Sequence, residues 1–337
     1  MQSRLTIAID AMSGDHGPRA CVPGALAVLR EEPSLELVLV GEPAALEPEL
    51  AALNPAERAR VRIAAASQVV GMDEQPREVI RRKKDSSLRR ALDLVASGEA
   101  AACVSSGNTG ALMATAHFVL GMIEGIDRPA IISAIPATGG HTCMLDLGAN
   151  LTATAEQLFQ FAVMGSVVAG ELLARPRPRV GLLNIGSEDI KGHEIVKAAH
   201  QRLQASRLEY VGYVEGNDIF TGAVDVVVTD GFTGNVALKT MEGLARMIAG
   251  AIREEFTASP LRSLGALAAR PALEGLRERL DPRRYNGASM VGLAGVVIKS
   301  HGGADATAFA HAVRLGVVEA RNGVPSQIGA QLHAQAA

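Results

Sequence analysis

Tryptophan is missing from this 337-residue chain, and all aromatic residues together make up 3% of it. A core without large rings has to be filled by Ala, Val, Leu and Ile, which dominate the 48% apolar content. An excess of basic charge is lacking as well: 33 Lys and Arg face 36 Asp and Glu, for a net charge of −3. Without a basic footprint, nucleic acid is not an expected partner. Cysteine is scarce, and Cys21, Cys103 and Cys143 show no CxxC spacing, so neither a disulfide framework nor a zinc site is indicated. No uninterrupted apolar run reaches the roughly 18 residues that span a bilayer, and the start MQSRLTIAID has no signal-peptide core. A cytoplasmic protein is expected. A Walker A loop, GxGxxG, GxSxG and HExxH are also absent, which argues against ATP hydrolysis, Rossmann-type redox chemistry, serine hydrolysis and zincin chemistry.

Glycine, by contrast, is abundant at 35 residues and follows no collagen-like period. Runs with strand character fall at residues 5–10, 35–40, 61–65, 101–105, 130–134, 142–147, 180–185, 208–212, 225–229 and 293–299. Helical patterns lie between or after them, for example at 108–122, 154–173, 189–203 and 304–318. This alternation predicts an α/β chain on a doubly wound, mostly parallel sheet. No linker or internal repeat divides it, so residues 1–337 are expected to form one α/β unit or two lobes sharing strands.

Several strand ends run into polar, glycine-bearing turns, where open sheets hold ligands. The fullest is at 225–243, DVVVTDGFTGNVALKTMEG, where three valines give way to Asp230, Thr233, Gly234 and Asn235 and then to a helical pattern. Backbone N–H groups at such a helix start favour an anion. Asp10, Asp15 and His16 gather after the first strand, with Gly17-Pro18 as a helix start that Asp15 could simply cap. Asn108 and Thr109 follow SSG at another turn, suited either to hold a phosphate or oxyanion or to cap a helix. Asp146 and Asn150 repeat the arrangement in DLGAN, Lys191 brings a cation into LLNIGSEDIKG, and His301 sits in KSHGGAD. A lysine so placed could polarise a carbonyl or hold a phosphate, or stand solvated on the surface. His141 and Cys143, two apart on one strand face, are a candidate Cys–His pair set against the ordinary burial of strand cysteines. The turns together point to a small phosphate-bearing ligand.

Two segments depart from the alternation. Residues 232–280 carry almost no strand signal and predict a long helix, a break at Ser259-Pro260 and a second helix, with Pro271 interrupting. Leu261, Leu264 and Leu267 stand at helical spacing, and Arg262 and Arg270 are the only charges between 256 and 273. A protruding hairpin of this kind suits a twin subunit or an anionic membrane surface; an interior helix pair is the plain alternative. REVIRRKKDSSLRR at 77–90 is the most basic stretch, either facing an acidic partner or forming a solvated helix face.

IDAMSGDHGP, KKDSS, SSGNTGALMA, DLGAN, LLNIGSEDIKG, VVVTDGFTGNVALKTMEG and VVIKSHGGADA, in that order, resemble the successive blocks of the PlsX-type phosphate acyltransferases over roughly residues 5 to 320. Departures are few: Ser13 stands where Gly is usual, Ser106 where Ala is, Asn286 where Gly is, and Gly303-Ala304 where a Ser pair is. The resemblance implies a fold similar to phosphotransacetylases and the isocitrate dehydrogenase group, a homodimer, and peripheral membrane attachment through the helical hairpin. It implies transfer of a long fatty acyl chain from acyl carrier protein to inorganic phosphate. The acyl phosphate would then pass to a membrane glycerol-3-phosphate acyltransferase in phospholipid synthesis. On this resemblance Lys191 and Asn235 stabilise the carbonyl or the phosphate. Asp10, Asp15, His16, Asn108, Thr109, Asp146, Asn150, Asp230, Thr233, Gly234 and His301 fall to the phosphate or substrate pocket. Arg82, Lys83 and Lys84 fall to the carrier protein or another anion, and Leu261, Leu264 and Leu267 to the membrane. Phosphate is itself a nucleophile, so the site needs placement and oxyanion donors, with no metal and no cofactor expected. The rival readings are a short-chain phosphotransacetylase, an NAD-dependent decarboxylating dehydrogenase of related fold, and a non-catalytic membrane scaffold.

Overall fold

The computed structural model describes residues 4–280 and 282–336, with the side chains of 264, 276–280, 282, 284 and 336 outside the description. Leu264, expected at the hairpin tip, therefore lies outside the described side chains. The chain opens with β1 (Leu5–Asp10), α1 (Pro18–Glu31), β2 (Leu35–Gly41), α2 (Pro43–Leu50), α3 (Pro55–Arg58) and β3 (Val61–Ala65). It continues with α4 (Pro76–Arg82), α5 (Ser87–Ala96), β4 (Ala102–Ser105), α6 (Thr109–Leu120), β5 (Ala130–Ala137) and β6 (Gly140–Leu145). Next come α7 (Ala155–Leu173), β7 (Arg179–Leu183), α8 (Glu194–Gln204), β8 (Glu209–Val214) and β9 (Val226–Val228). Three helices follow in succession, α9 (Gly231–Thr257), α10 (Pro260–Ala268) and α11 (Arg270–Leu280). The chain closes with β10 (Ala288–Val291), β11 (Val296–Lys299), α12 (Ala306–Asn322) and α13 (Val324–Ala336).

Local chemistry sets these boundaries. Proline opens α1, α2, α3, α4 and α10, where its missing N–H is not needed. Asn108, Thr154, Asp230, Ser259 and Asp305 cap α6, α7, α9, α10 and α12 through their side-chain oxygens. β4, β9 and β11 are buried throughout, as strands covered by helices on both faces must be.

The strands form one eleven-stranded sheet in the order β3-β2-β1-β4-β11-β10-β5-β6-β9-β7-β8. Two parallel blocks, β3 to β11 and β6 to β8, are joined by β10 and β5 through three successive antiparallel pairings. β10 has no counterpart among the strands expected from sequence; it is only four residues long and carries Ser289 within it. The three antiparallel pairings together reverse the sense of the second block. Sheet twist then matters: roughly 20–25° per strand over the five steps from β4 to β9 amounts to about 100–125°. At that typical twist the carboxyl ends of the two antiparallel blocks would point about 55–80° apart instead of toward opposite poles.

Four apolar layers hold the sheet. Ile7, Ile9, Leu39, Phe309 and Val313 pack between the first block and α1 with α12, and Ala8, Val38, Leu88, Leu92 and Leu112 pack under α5 and α6. Phe161, Met164, Val180 and Val226 join the second block to α7. On its other face Ile131, Met144 and Val227 receive Met113 from α6 together with Ala237, Leu238 and Met241 from α9.

The hairpin differs from expectation. Pro271 falls in the first turn of α11, where proline is tolerated, so a third helix replaces the interruption. Along α9 only Gly231 and Gly234 are buried, whereas Leu244, Met247, Ile248 and Ile252 form an exposed stripe. Leu261 and Leu267 are 78% and 62% exposed. The interior-pair alternative is excluded. Among the described residues no helix is long and apolar enough to cross a membrane.

Candidate active site

At the carboxyl end of β6, Asp146 is fully buried and organises the turn that follows. Its Oδ1 accepts from the N–H groups of Ile131 (3.0 Å), Gly148 (3.2 Å) and Ala149 (3.0 Å). Its Oδ2 accepts from the backbone (2.7 Å) and side-chain (2.9 Å) nitrogens of Asn150. Five donors saturate the carboxylate, so Asp146 shapes the loop and has no lone pair left for substrate. Asn150 is engaged likewise, donating to the Pro129 carbonyl at 2.8 Å and accepting from the Gly231 N–H at 2.8 Å. That last bond seats the start of α9 against the loop. Glycine is required there: a Cβ at Gly231 would lie 2.4 Å from the Asn150 carbonyl oxygen, and one at Gly234 1.9 Å from that of Asp146.

Asp230 caps α9, accepting from the Thr233 N–H at 2.7 Å. Thr233 and Asn235 are exposed, and Asn235 packs over Gly148. Leu182 of β7 pairs with Val228 of β9, so the loop after β7 emerges beside Asp230. In that loop Lys191 folds over Gly186 and pairs with Glu188 at 2.9 Å, both open to solvent. The Glu188 carboxylate holds the ammonium above its ordinary range, so Lys191 carries its charge at neutral pH. Asn184 ties the loop together through donation to the carbonyls of Gly186 and Lys191. Lys191, Asp230, Thr233 and Asn235 thus share one edge of the sheet, and no hydrogen bond joins Lys191 to Asn235 among the described residues.

A second polar cluster stands at the carboxyl ends of β1, β4 and β11, where Asp10, Ser105 and Lys299 lie side by side in register. Asp10 accepts from Ser105 Oγ at 2.6 Å through Oδ2, its Oδ1 has no hydrogen-bond partner among the described residues, and burial raises its carboxyl above the ordinary range. The buried Lys299 Nζ donates to the carbonyls of Ser106 (3.4 Å) and Ser300. Asp15 and His16 are exposed, and the Asp15 N–H donates to the Gly302 carbonyl at 2.9 Å. Gly17 takes the N-cap of α1, so the Asp15 carboxylate is not used for capping. With Arg19, Ala20, Asp305 and Ala306 the two line an open cleft of about 500 Å³. His301 is held by its N–H, which donates to Asn286 Oδ1 at 2.8 Å, and its Nδ1 accepts from the Gly303 N–H at 3.1 Å.

One pocket was expected where the structure forms two clusters, and the start of α9 connects them. Its Ala237, Leu238 and Met241 share an apolar layer with Met113 of α6, and Lys239 is close enough to Lys299 to oppose its charge. Three expected contacts are loop supports: Asp146, Asn150 and Asn108, whose side chain caps α6 and donates to the carbonyls of Met72 and Glu74. Thr109, exposed in the first turn of α6, keeps an N–H with no intrahelical acceptor. The basic stretch is mostly compensated. Arg82 pairs with Glu78 at 2.9 Å, Lys83 with Glu74 at 3.1 Å, Arg89 with Asp93 and Arg90 with Asp85. Of the three expected anion contacts, only Lys84 has no ion pair among the described residues. Cys143 is fully buried, and burial pushes its thiol up to about 12, which rules out a Cys–His nucleophile at neutral pH. Lys299 and Ser105 were outside the expected set; the available signal was a lysine closing the otherwise apolar strand VVIK.

Two twisted parallel blocks with polar loops gathered about one helix start define the phosphotransacetylase fold. A phosphotransacetylase from Streptococcus pyogenes superposes with a TM-score of 0.61 at 17% identity, with 94% of each chain covered. The EutD phosphotransacetylase of Staphylococcus aureus gives 0.60 at 13%, also over 94% of each. Within that fold, the chain belongs to the fatty acid synthesis protein family, whose profile matches residues 5–327. It is 56% identical over 328 residues to a phosphate acyltransferase of Nitrosococcus oceani, covering 97% of this chain and 96% of the relative. Identity to a phosphate acyltransferase of Methylococcus capsulatus is 55% over 327 residues, with the same coverage.

Proposed function

We infer that this protein is an enzyme that transfers a fatty acyl group from acyl carrier protein to inorganic phosphate, giving an acyl phosphate for phospholipid synthesis. The observation that carries this is the 55–56% identity to phosphate acyltransferases along 97% of the chain. A phosphate oxygen attacks the thioester carbonyl carbon and the carbon–sulfur bond breaks. The carrier leaves as a thiol, taking the proton that hydrogen phosphate gives up. Because phosphate is the nucleophile, the protein has to place it and stabilise the oxyanion.

Lys191 and Asn235 are assigned to that oxyanion or to the phosphate it adjoins. Their support is a shared sheet edge, exposure, and the charge that Glu188 maintains on Lys191. Thr233 and Gly234 in the α9 turn, with Thr109, Asp15, His16 and His301 opposite, form the phosphate surroundings. Asp10, Asn108, Asp146, Asn150 and Asp230 act behind them, holding the loops. Lys84, with Arg82 and Lys83 at the end of α4, is the basic contact for the carrier protein. The exposed apolar stripe of α9 supports a homodimer, and Leu261 and Leu267 support peripheral attachment of a cytoplasmic enzyme to an anionic membrane. There a glycerol-3-phosphate acyltransferase would take up the product.

Purified protein given acyl-loaded carrier protein and inorganic phosphate should release carrier thiol and form hydroxylamine-reactive acyl phosphate in equal amounts. Thiol release that does not depend on phosphate, or product from acetyl-CoA alone, would refute this function.

A further inference from the structure

We propose that Lys299 is a positioning residue for phosphate: its buried ammonium, beside Asp10, staples the loops at 10–16, 105–109 and 299–303 into the shape that receives the anion. The proposal deepens the acyl-transfer reading and rests on it for the identity of the anion. Three strand ends meet at this point, since Asp10 is level with Ser105 and Ser105 with Lys299. The Lys299 ammonium donates to a carbonyl of the second loop, Ser106 at 3.4 Å, and to one of the third, Ser300. Asp10 reaches the second loop through Ser105, whose Oγ in turn accepts from the Gly107 N–H at 3.1 Å.

Ser13 completes the stitching. Its Oγ donates to the Asp10 carbonyl at 2.8 Å, lies 3.0 Å from Ser106 Oγ, and accepts from the Ser106 N–H at 3.0 Å. Ser13 and Ser106 are therefore partners of each other. The Asp15 N–H bond to the Gly302 carbonyl fixes the outer ends of the first and third loops together. These are the loops that carry Asp15, His16, Thr109 and His301.

A buried lysine and a buried carboxylate with an unpartnered oxygen are expensive to keep in a core. Their place, directly beneath the polar loops, gives them a use. The groups facing the ammonium are Asp10 from β1, Asp15 from the first loop, Cys21 from α1 and Lys239 from α9. Burial pulls Lys299 down to about 8, while Asp10, Asp15 and Cys21 draw it back up and Lys239 lowers it further. Loss of its proton would weaken its hold on the two carbonyls and remove the positive charge beside Asp10.

The test is equilibrium binding of inorganic phosphate to the full chain by titration calorimetry, alongside the KM for phosphate. Wild-type affinity, expressed for the HPO4²⁻ form so that phosphate's own titration near neutral pH is taken out, should fall by about tenfold between pH 7 and pH 9.5, over which Lys191 stays charged. Lys299→Met should weaken phosphate at least about tenfold and abolish that pH dependence, with the KM for acyl carrier protein changed less than about twofold. Asp10→Asn removes the attracting carboxylate and should move the midpoint of the wild-type decline to lower pH by about one unit, which a merely structural role would not do. If Lys299→Met does not fold, the wild-type profile and the Asp10→Asn shift decide. Phosphate binding within twofold of wild type in folded Lys299→Met, or a flat wild-type profile with no shift in Asp10→Asn, overturns the proposal. Phosphate bound as described but no acyl phosphate formed by wild type would instead count against the acyl-transfer reading alone.

Discussion

A carboxylate that accepts five hydrogen bonds, as Asp146 does, has no capacity left for a substrate, whereas an ammonium that meets one exposed carboxylate, as Lys191 does, exchanges partners at little cost. The same comparison separates Asn235, open at the first turns of α9, from Asn108 and Asn150, whose amides are committed to loops. Glu319 on α12 stands apart from this chemistry. It is fully buried, accepts from Ser289 Oγ at 2.8 Å through Oε2, and has an unpartnered Oε1; burial raises its carboxyl to about 7. Below its ordinary value of 4.5 the folded and unfolded states both hold the proton. Between there and about 7 the unfolded chain ionises first, so stability declines as pH rises, reaching a full loss of roughly 3 kcal/mol above pH 7. Glu319→Gln removes this titration, so its gain in melting temperature over wild type should be larger at pH 8 than at pH 5. Equal shifts at the two pH values in a thermal melt would show that the carboxyl ionises in the fold as readily as in the unfolded chain.

At the scale of elements, most strands are legible because buried parallel strands read as short apolar runs between glycine-bearing turns. β1 and β3 start and stop where the sequence pattern does. β6 ends at Leu145, two residues earlier than the run TCMLDL at 142–147 suggests, because Asp146 turns inward to collect the N–H groups of its own loop. β10 is not legible: four residues, one of them the Ser289 that bonds Glu319, carry too little periodicity to separate from a loop. The α9–α11 projection is legible as helix, and only tertiary structure shows that its apolar residues face out. Replacing Leu261 and Leu267 by Asp should lower partitioning onto anionic vesicles at least about tenfold, since each buried leucine is worth about 1.5–3 kcal/mol. Turnover with soluble substrates should persist. Unchanged co-sedimentation with vesicles would remove the projection as the anchor.

For the molecule as a whole, the site is a consequence of reversal and twist. Three antiparallel pairings set the two parallel blocks in opposite senses, and the accumulated twist brings their carboxyl ends back toward the start of α9. Sequence alone shows each polar turn, because each is a strand followed by Gly, Asn, Asp or Thr. It does not show that Asp10 and Lys299 are neighbours, since they lie 289 positions apart in the chain and only the sheet order joins β1 to β11 through β4. Nor does it show which polar side chains are saturated by their own loops. The division of labour that results puts loop-holding residues inside and Lys191 with Asn235 at the open edge. Its most direct test is acyl phosphate formation by Lys191→Ala and wild type at saturating acyl carrier protein substrate and phosphate, with circular dichroism to establish that the variant is folded. A fall in kcat of roughly 10²–10³-fold is expected, as for loss of one oxyanion-stabilising group. Turnover near that of wild type in the folded variant would contradict placing the chemistry at this edge.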